Sequence, residues 1–189
     1  MKISGFVLIS TFVVTVVTAK SSPTTAHKIR MRSQRDTFQQ ECRQWHNYYR
    51  NMHHVPNLGL SRRLHENAQL WADHLARQRF FEPILHSPAS REKFGENIYW
   101  YTIPSETYKV SAKSAIKLWY EEKKHYDYNH PRYSRQTSHF TQVIWKSSKT
   151  LGCAKSRARE GHLYRYFVVC NYHPKGNIHG EFKKNVLRP

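Results

Sequence analysis

The chain has 189 residues, which allows one domain with a substantial core and excludes two domains of ordinary size. It carries 31 Lys and Arg residues against 13 Asp and Glu, a formal net charge of +18. So basic a surface is expected to attract anionic partners such as lipid headgroups, sulfated glycans or nucleic acid, with a strong dependence on salt. A solvated basic surface without a dedicated partner accounts for the charge equally well.

The N-terminus has the features of a secretory signal peptide. Lys2 precedes an apolar run over Ile3–Val17, and small residues follow up to Ala19. We therefore predict that residues 1–19 are a cleaved signal and that the mature protein is secreted and extracellular. An uncleaved anchor is the alternative, but the run is short of the about 20 residues that span a bilayer. Export also makes nucleic acid the least expected of the anionic partners.

The next two segments are predicted as a leader and a helix. Residues 20–35 are rich in Ser, Thr, Pro and basic residues without an apolar period, which predicts a flexible basic leader. From Asp36, apolar residues recur at helical spacing and predict an amphipathic helix that ends before Pro56. The apolar stripe consists of Phe38, Cys42, Trp45, Tyr49 and Met52, and the polar face of Gln39, Arg43, Asn47 and Arg50.

Two further helices are predicted from similar apolar stripes. Ser61 is placed to cap the second helix, which should stop by Pro83. The third helix is predicted from about Glu106 to His125. The stripe of the second is Leu64, Ala68, Trp71 and Leu75; the broad face of the third is Ala112, Ala115, Ile116, Leu118, Trp119 and Tyr126.

A carboxylate lies on the apolar face of the third helix. Glu122 follows Trp119 by three residues and Leu118 by four, so it shares their face. A carboxylate in that position needs a partner. A position at the edge of the stripe, with the carboxylate reaching water, is an equally good interpretation of the spacing.

Two blocks near the C-terminus are predicted as strands. Over Ser138–Trp145 the side chains alternate with a period of two, which predicts a strand that has His139 near its start. The block over Phe167–Cys170 predicts a second strand, which leads into a turn rich in Pro and Gly.

The three cysteines leave one without a partner in an exported chain. Cys153 and Cys170 flank the turn at residues 159–162, and folding that hairpin brings them within cross-strand reach. We therefore predict a Cys153–Cys170 disulfide. Cys42 is then either buried as a small apolar residue, the commoner fate, or free to join another chain.

Four motifs resemble the signatures of the CAP superfamily, the cysteine-rich secretory, antigen 5 and pathogenesis-related proteins. In chain order they are His46-Asn47-Tyr48-Tyr49-Arg50, Gly95-Glu96-Asn97-Ile98, the block from Ser138 to Trp145, and the block from Phe167 to Ile178. The resemblance runs from about Phe38 to Leu187 and is greatest to the single-domain Golgi-associated type. It implies an α+β fold over residues 36–189, a three-layer α-β-α sandwich around a mostly antiparallel sheet.

The same resemblance implies a cleft that contains two histidines and two glutamates. At the matching positions stand His86, Glu96, Glu122 and His139. Neutral imidazoles with carboxylates suit a divalent ion of the zinc type, and the carboxylates either bind the ion or orient the histidines. The other histidines are predicted to lie on the surface, among them the pair His53 and His54.

These residues predict a secreted, non-enzymatic binding protein. Lipid, sterol, an anionic membrane, anionic glycans and an extracellular protein are the partners that the family and the charge suggest. The alternative is a secreted metal-dependent hydrolase that uses the same four residues. It is less favoured because the chain has no HExxH pair and no nucleophile motif. Lys2 stands where a myristoylated relative needs Gly, so lipidation is not expected.

Overall fold

The computed structural model describes residues 24–104 and 110–189, and of residues 26–32 and 34–36 only the backbone. The helices are α1 (Thr25–Met52), α2 (Arg62–Arg77), α3 (Ala112–Glu121), α4 (Ser138–Ile144) and α5 (Phe182–Asn185). The strands are β1 (Gly59–Leu60), β2 (Gly95–Ile103), β3 (Thr150–Glu160) and β4 (Leu163–His173). Short 3-10 turns cover Pro88–Arg91, Glu122–His125 and Arg135–Thr137.

The four strands form one mixed sheet in the order β1-β3-β4-β2. The pairs β3–β4 and β2–β4 are antiparallel, and the short pair β1–β3 is parallel. A two-residue connection joins β3 to β4, and its Gly161 has a φ of 60°, a left-handed conformation that glycine adopts without a Cβ clash. The sheet is therefore mostly antiparallel, as the family resemblance implies.

Helices cover both faces of the sheet. Successive residues of a strand point to opposite faces, and β4 divides accordingly. Phe167 and Val169 pack against α2, whereas Val168, Cys170 and Tyr172 pack into a larger core with α1, α3 and α4. This arrangement is the predicted three-layer α-β-α sandwich.

The first helix is longer than predicted. It begins at Thr25, eleven residues before Asp36, within the segment interpreted as a flexible leader. Residues 25–35 contain neither proline nor glycine, so a helix fixed by packing farther along can extend through them at little cost. The predicted signal peptide, residues 1–19, lies outside the described residues. In the part of the chain that is described, no helix is both long and apolar enough to cross a membrane.

The second helix follows its prediction closely. The Ser61 hydroxyl accepts the backbone N–H of Leu64 and caps the N-terminus, and the helix ends before Pro83. Its first turn lies so close to β3 that a Cβ on Gly152 would overlap the backbone of Leu64 and His65. A glycine at this position lets α2 pack directly on the sheet.

The segment Ser138–Ile144 is a helix, and its prediction as a strand was wrong. The five consecutive residues Phe140–Ile144 are all buried, so both sets of alternating side chains contact the core. A short segment that is buried on every side has no polar face, and its periodicity cannot distinguish a strand from a helix. His139 therefore lies in the first turn of α4 and not at the start of a strand.

The third helix is shorter than predicted. Its described part begins after Ser111, whose hydroxyl caps Ser114 N, and it ends at Glu121. The chain then tightens into the 3-10 turn that contains Glu122. Leu118 is exposed and does not belong to the apolar face.

The cysteines are arranged as predicted. Cys153 and Cys170 are directly opposite in the register of β3 and β4 and form a disulfide. Cys42 on α1 is a buried free thiol.

Candidate functional site

Helix α4 is held at both ends by charged side chains from other elements. At its N-terminus, Glu122 Oε2 accepts the backbone N–H of His139 (3.0 Å) and of Phe140 (3.1 Å). At its C-terminus, Arg50 Nη1 donates to the carbonyls of Val143 (3.1 Å) and Trp145 (2.9 Å). A negative charge at the first turn and a positive charge at the last both complement the helix dipole. The position of His139 follows from these contacts.

The first histidine–glutamate pair is built on this helix. His139 Nδ1 lies 2.7 Å from Glu122 Oε1, and the imidazole is stacked on Trp119 at a ring distance of 6.2 Å. An ionised carboxylate can only accept a hydrogen bond, so in the neutral imidazole the proton is on Nδ1. The lone pair of Nε2 is then available. Glu122 thus has a specific partner. Of the two interpretations of its position, the one with a partner describes it, and the one in which the carboxylate only reaches water does not.

The second pair joins the loop after α2 to the start of β2. His86 Nδ1 lies 3.0 Å from Glu96 Oε1, which also accepts the backbone N–H of Ser87 at 2.8 Å. The Glu96 side chain is 1% exposed, whereas that of His86 is 54% exposed. Asn171 lies opposite Glu96 in the sheet register, and in the amide orientation that satisfies both its groups it donates to Glu96 Oε2 at 3.2 Å.

Both carboxylates use both of their oxygens for hydrogen bonds within the protein. Glu122 accepts two backbone N–H groups and an imidazole, and Glu96 accepts a backbone N–H, an imidazole and an amide. Among the described residues, neither His86 Nε2 nor His139 Nε2 has a hydrogen-bond partner. The geometry therefore favours glutamates that orient the imidazoles over glutamates that bind an ion.

The four residues form two pairs and not one compact cluster. In the described part of the chain, the sole set of three or more candidate ligand atoms within 4.8 Å of one another belongs to Cys42, Cys153 and Cys170. Two of these are in the disulfide, so they have no thiolate to offer. The pairs are linked through Asn97, beside Glu96 in β2, whose Nδ2 donates to the His139 carbonyl at 3.0 Å.

A buried hydrogen-bonded chain connects this link to α1. Asn97 Nδ2 also donates to the Tyr172 hydroxyl (3.3 Å), which lies 2.7 Å from His46 Nε2. His46 Nδ1 contacts the Cys42 carbonyl at 2.8 Å, so this nitrogen bears the proton and Nε2 accepts from the tyrosine. Burial lowers the pKa of His46 to about 3. This neutral histidine has both nitrogens bonded and none left for a ligand.

Several side chains on α1 and in the turn after it are buried although they were predicted to face solvent, among them Gln39 and His46. Arg50, assigned to the polar face, is fully buried, and burial lowers its pKa to about 10. His53 is also buried, between the Leu187 carbonyl (2.7 Å from Nδ1) and the Tyr120 hydroxyl (3.1 Å from Nε2), and burial lowers its pKa. For Arg50 a signal was present, because it closes the motif that begins at His46. For His53 the sequence contained none.

A cavity of about 490 Å³ opens beside His86 and Glu96. Gln142 and Asn177 line it, and Arg91 and Lys175 stand on its wall. Neither Glu122 nor His139 lines it, so one of the two pairs borders this cavity. The space can hold an anionic or polar group of a ligand next to the His86 imidazole.

Comparison with known proteins agrees with this architecture. The profile of the CAP, or cysteine-rich secretory protein, family matches residues 44–172. The human Golgi-associated plant pathogenesis-related protein 1 is 37% identical over 155 residues, which cover 80% of this chain and 94% of that protein.

Two solved structures share the fold at low sequence identity. BmVAL-1 has a TM-score of 0.59 at 22% identity and covers 92% of this chain and 87% of its own. NaASP2, crystallised with Zn²⁺, has a TM-score of 0.56 at 21% identity and covers 79% of this chain and 84% of its own. The four motifs, the three-layer sandwich and the family match lead to one conclusion: the chain belongs to the CAP family.

Proposed function

We propose that this chain is an exported, non-enzymatic CAP-domain binding protein whose His86 and His139 bind a divalent ion of the zinc type. The observation that carries the proposal is that the two imidazoles have the same hydrogen-bonding arrangement. In each, Nδ1 is held by a glutamate whose oxygens are all engaged, and Nε2 is left for a ligand. A carboxylate that holds one nitrogen fixes the tautomer and raises the basicity of the other.

The donor chemistry of the two imidazoles, each with an unbonded Nε2, suits such an ion as a two-histidine site. His86 and His139 would hold it, with Glu96 and Glu122 behind them as orienting groups. When bound, the ion supplies positive charge and open coordination positions to a partner. The zinc-bound crystal structure of NaASP2, a relative in fold, is in keeping with this choice of ion.

Calorimetry with zinc tests the proposal. Because an imidazole must be deprotonated to bind a metal, we expect the affinity to fall as the pH is lowered from about 7 to about 5. Zinc affinity that does not change over this range, or the absence of zinc binding at neutral pH, would contradict the site.

The partner is proposed to be an anionic surface. The net charge, +18 for the full chain and +17 without Lys2 of the predicted signal, supports lipid headgroups or anionic glycans, and family membership supports a lipid, a sterol or an extracellular protein. Retention on anionic vesicles or heparin should fall steeply between about 50 mM and about 500 mM salt, as the Debye length shrinks. Retention that is independent of salt would indicate an apolar lipid pocket instead.

A metal-dependent hydrolase is the second candidate, because a zinc-bound water beside a glutamate is a hydrolytic arrangement. Both glutamates are engaged by hydrogen-bond donors of the protein, which disfavours either of them as a general base. A broad panel of peptides and esters, tested with zinc, distinguishes the two candidates. Cleavage by the wild type above the level of His139→Ala would favour the hydrolase.

A further inference from the structure

A second cavity lies at the other end of the sheet from Glu96. Along β2, Glu96 pairs with Asn171, and Thr102 pairs with Arg165 near the tip of the β3–β4 hairpin. Six residues of extended strand put these ends about 20 Å apart. There the end of α2, the following segment and the hairpin tip line an open cavity of about 510 Å³. This region is separate from the two histidine–glutamate pairs.

The second cavity is strongly basic. Arg77, Arg79 and Arg159 line it, with Glu160 as the one acidic side chain among its lining residues. Among the described residues, none of the three arginines takes part in an ion pair. Three guanidinium groups suit an anion such as a phosphate.

A buried arginine next to the cavity, Arg165, has no ion-pair partner among the described residues. Arg165 is 8% exposed, and its guanidinium is stacked 4.3 Å from the ring of Phe80, a cavity residue. Its Nη2 donates to the Phe80 carbonyl, and its Nε is buried without a hydrogen bond to any described group. A buried charge without an opposite charge is costly, and an anion in the adjoining cavity would reduce that cost.

One exposed aromatic side chain, Phe81, lines the cavity, and another, Trp100, lies beside Arg165. Phe81 is 78% exposed, with the Arg79 guanidinium 5.9 Å from its ring. Trp100 is 49% exposed and lies 5.9 Å from the guanidinium of Arg165. Exposed aromatic rings among arginines are typical of surfaces that dock at the boundary between lipid headgroups and acyl chains. A sulfated glycan would use the arginines but would give Phe81 no apolar environment.

We propose that this arginine corner, formed by Arg77, Arg79, Arg159, Arg165, Phe81 and Trp100, docks on membranes that present anionic phospholipids. A phosphate-bearing headgroup enters the cavity between the arginines, and Phe81 and Trp100 enter the interfacial layer. The proposal rests on the anionic-surface binding proposed above and deepens it, because it assigns that binding to one corner of the molecule. The metal-binding proposal does not depend on it.

Vesicle sedimentation with matched charge variants tests the corner. The vesicles contain phosphatidylcholine alone or with about 30% phosphatidylinositol, and the test variant is Arg77→Gln/Arg79→Gln. The control is Arg62→Gln/Arg63→Gln, which removes the same charge from exposed positions at the opposite end of α2, about 22 Å away. We expect the test variant to lose about tenfold or more in affinity for the anionic vesicles and the control about threefold or less.

A third variant distinguishes a membrane from a glycan. Phe81→Ala should weaken binding to anionic vesicles several-fold and leave retention on heparin unchanged. Equal losses of vesicle affinity in the two arginine variants would overturn the assignment to this corner but leave anionic-surface binding in place. A Phe81→Ala variant that binds vesicles as tightly as the wild type would have the same consequence. If the wild type does not bind anionic vesicles, the proposed membrane binding itself is overturned. Thermal unfolding confirms that each variant is folded, as expected for exposed side chains.

Discussion

The histidines His46, His53, His86 and His139 occur in two different environments. His46 and His53 are fully buried, and both ring nitrogens of each are bonded within the protein. His86 and His139 are partly exposed, and each has one nitrogen bonded to a glutamate. The bonding of the second nitrogen, and not membership of a motif, therefore separates the histidines that stabilise the fold from those available to a ligand.

The same division applies to the charged residues. Arg50 is buried and donates to the Pro56, Val143, Trp145 and Ser148 carbonyls. Glu122 is partly exposed and holds both a helix N-terminus and a site histidine. Its position connects the stability of α4 with the orientation of His139. Variants should therefore affect stability alone in the interior, ligand binding alone at the imidazoles, and both at Glu122.

The largest effect is expected from Arg50→Met. The change removes the donor of four hydrogen bonds and leaves buried carbonyls without partners, so the free energy of unfolding should fall by about 3–5 kcal/mol. Urea denaturation measures this loss. The control is Arg43→Met on the same helix, where the side chain is half-buried, and it should cost less than about 1 kcal/mol. Equal losses of unfolding free energy in the two variants would show that the buried hydrogen bonds of Arg50 do not stabilise the fold as proposed.

A smaller effect, dependent on pH, is expected at His46. Its pKa in the folded protein is about 3, because it is buried, against about 6.5 in an unfolded chain. As the pH falls from about 6.5 towards 3, the unfolded state takes up a proton that the folded state does not. This histidine therefore removes stability at about 1.4 kcal/mol per pH unit over that window and has no effect above it.

Urea denaturation at several pH values between about 7 and about 4 tests this slope. In His46→Gln the dependence on pH should become shallower by about that amount. The exposed His162→Gln should leave the slope unchanged. A wild-type slope that persists in His46→Gln would assign the dependence to other groups, such as His53, whose pKa is also lowered by burial.

The smallest change in stability is expected from Glu122→Gln. The amide keeps an acceptor for the first turn of α4 but loses the charge, so the protein should lose about 1 kcal/mol. Zinc affinity should fall by about 10–100-fold, because the variant no longer fixes the imidazole as a carboxylate does. Calorimetry on Glu122→Gln and His139→Ala provides the comparison. If Glu122→Gln costs as much affinity as His139→Ala, the carboxylate is itself a ligand.

Much of the fold follows from local patterns in the sequence. The cap at Ser61, the hairpin at Gly161 and the opposed cysteines Cys153 and Cys170 each depend on residues close in the chain or on one turn. The helix α4 could not be predicted in this way. Its stability comes from Glu122 and Arg50, which belong to elements 17 and 93 residues away in sequence.

The residues of the candidate site could be named from the sequence, and as a metal site they stay a prediction; their arrangement in two pairs could not be foreseen. Family motifs and the helical position of Glu122 identified His86, Glu96, Glu122 and His139. The pairing of each glutamate with one histidine depends on the register of β2 and on the end of α3, and neither can be seen in the spacing. Deep burial of His46 and His53 likewise depends on Tyr172 and Leu187, far along the chain.

The most direct test of this account measures zinc affinity and unfolding free energy together in His86→Ala/His139→Ala, with His162→Ala as the control. We expect the double variant to lose zinc binding at neutral pH while its unfolding free energy changes by less than about 1–2 kcal/mol, because both imidazoles are partly exposed. His162→Ala should match the wild type in both measurements. Equal zinc affinity in the double variant and the wild type would show that the two histidine–glutamate pairs are not the metal site.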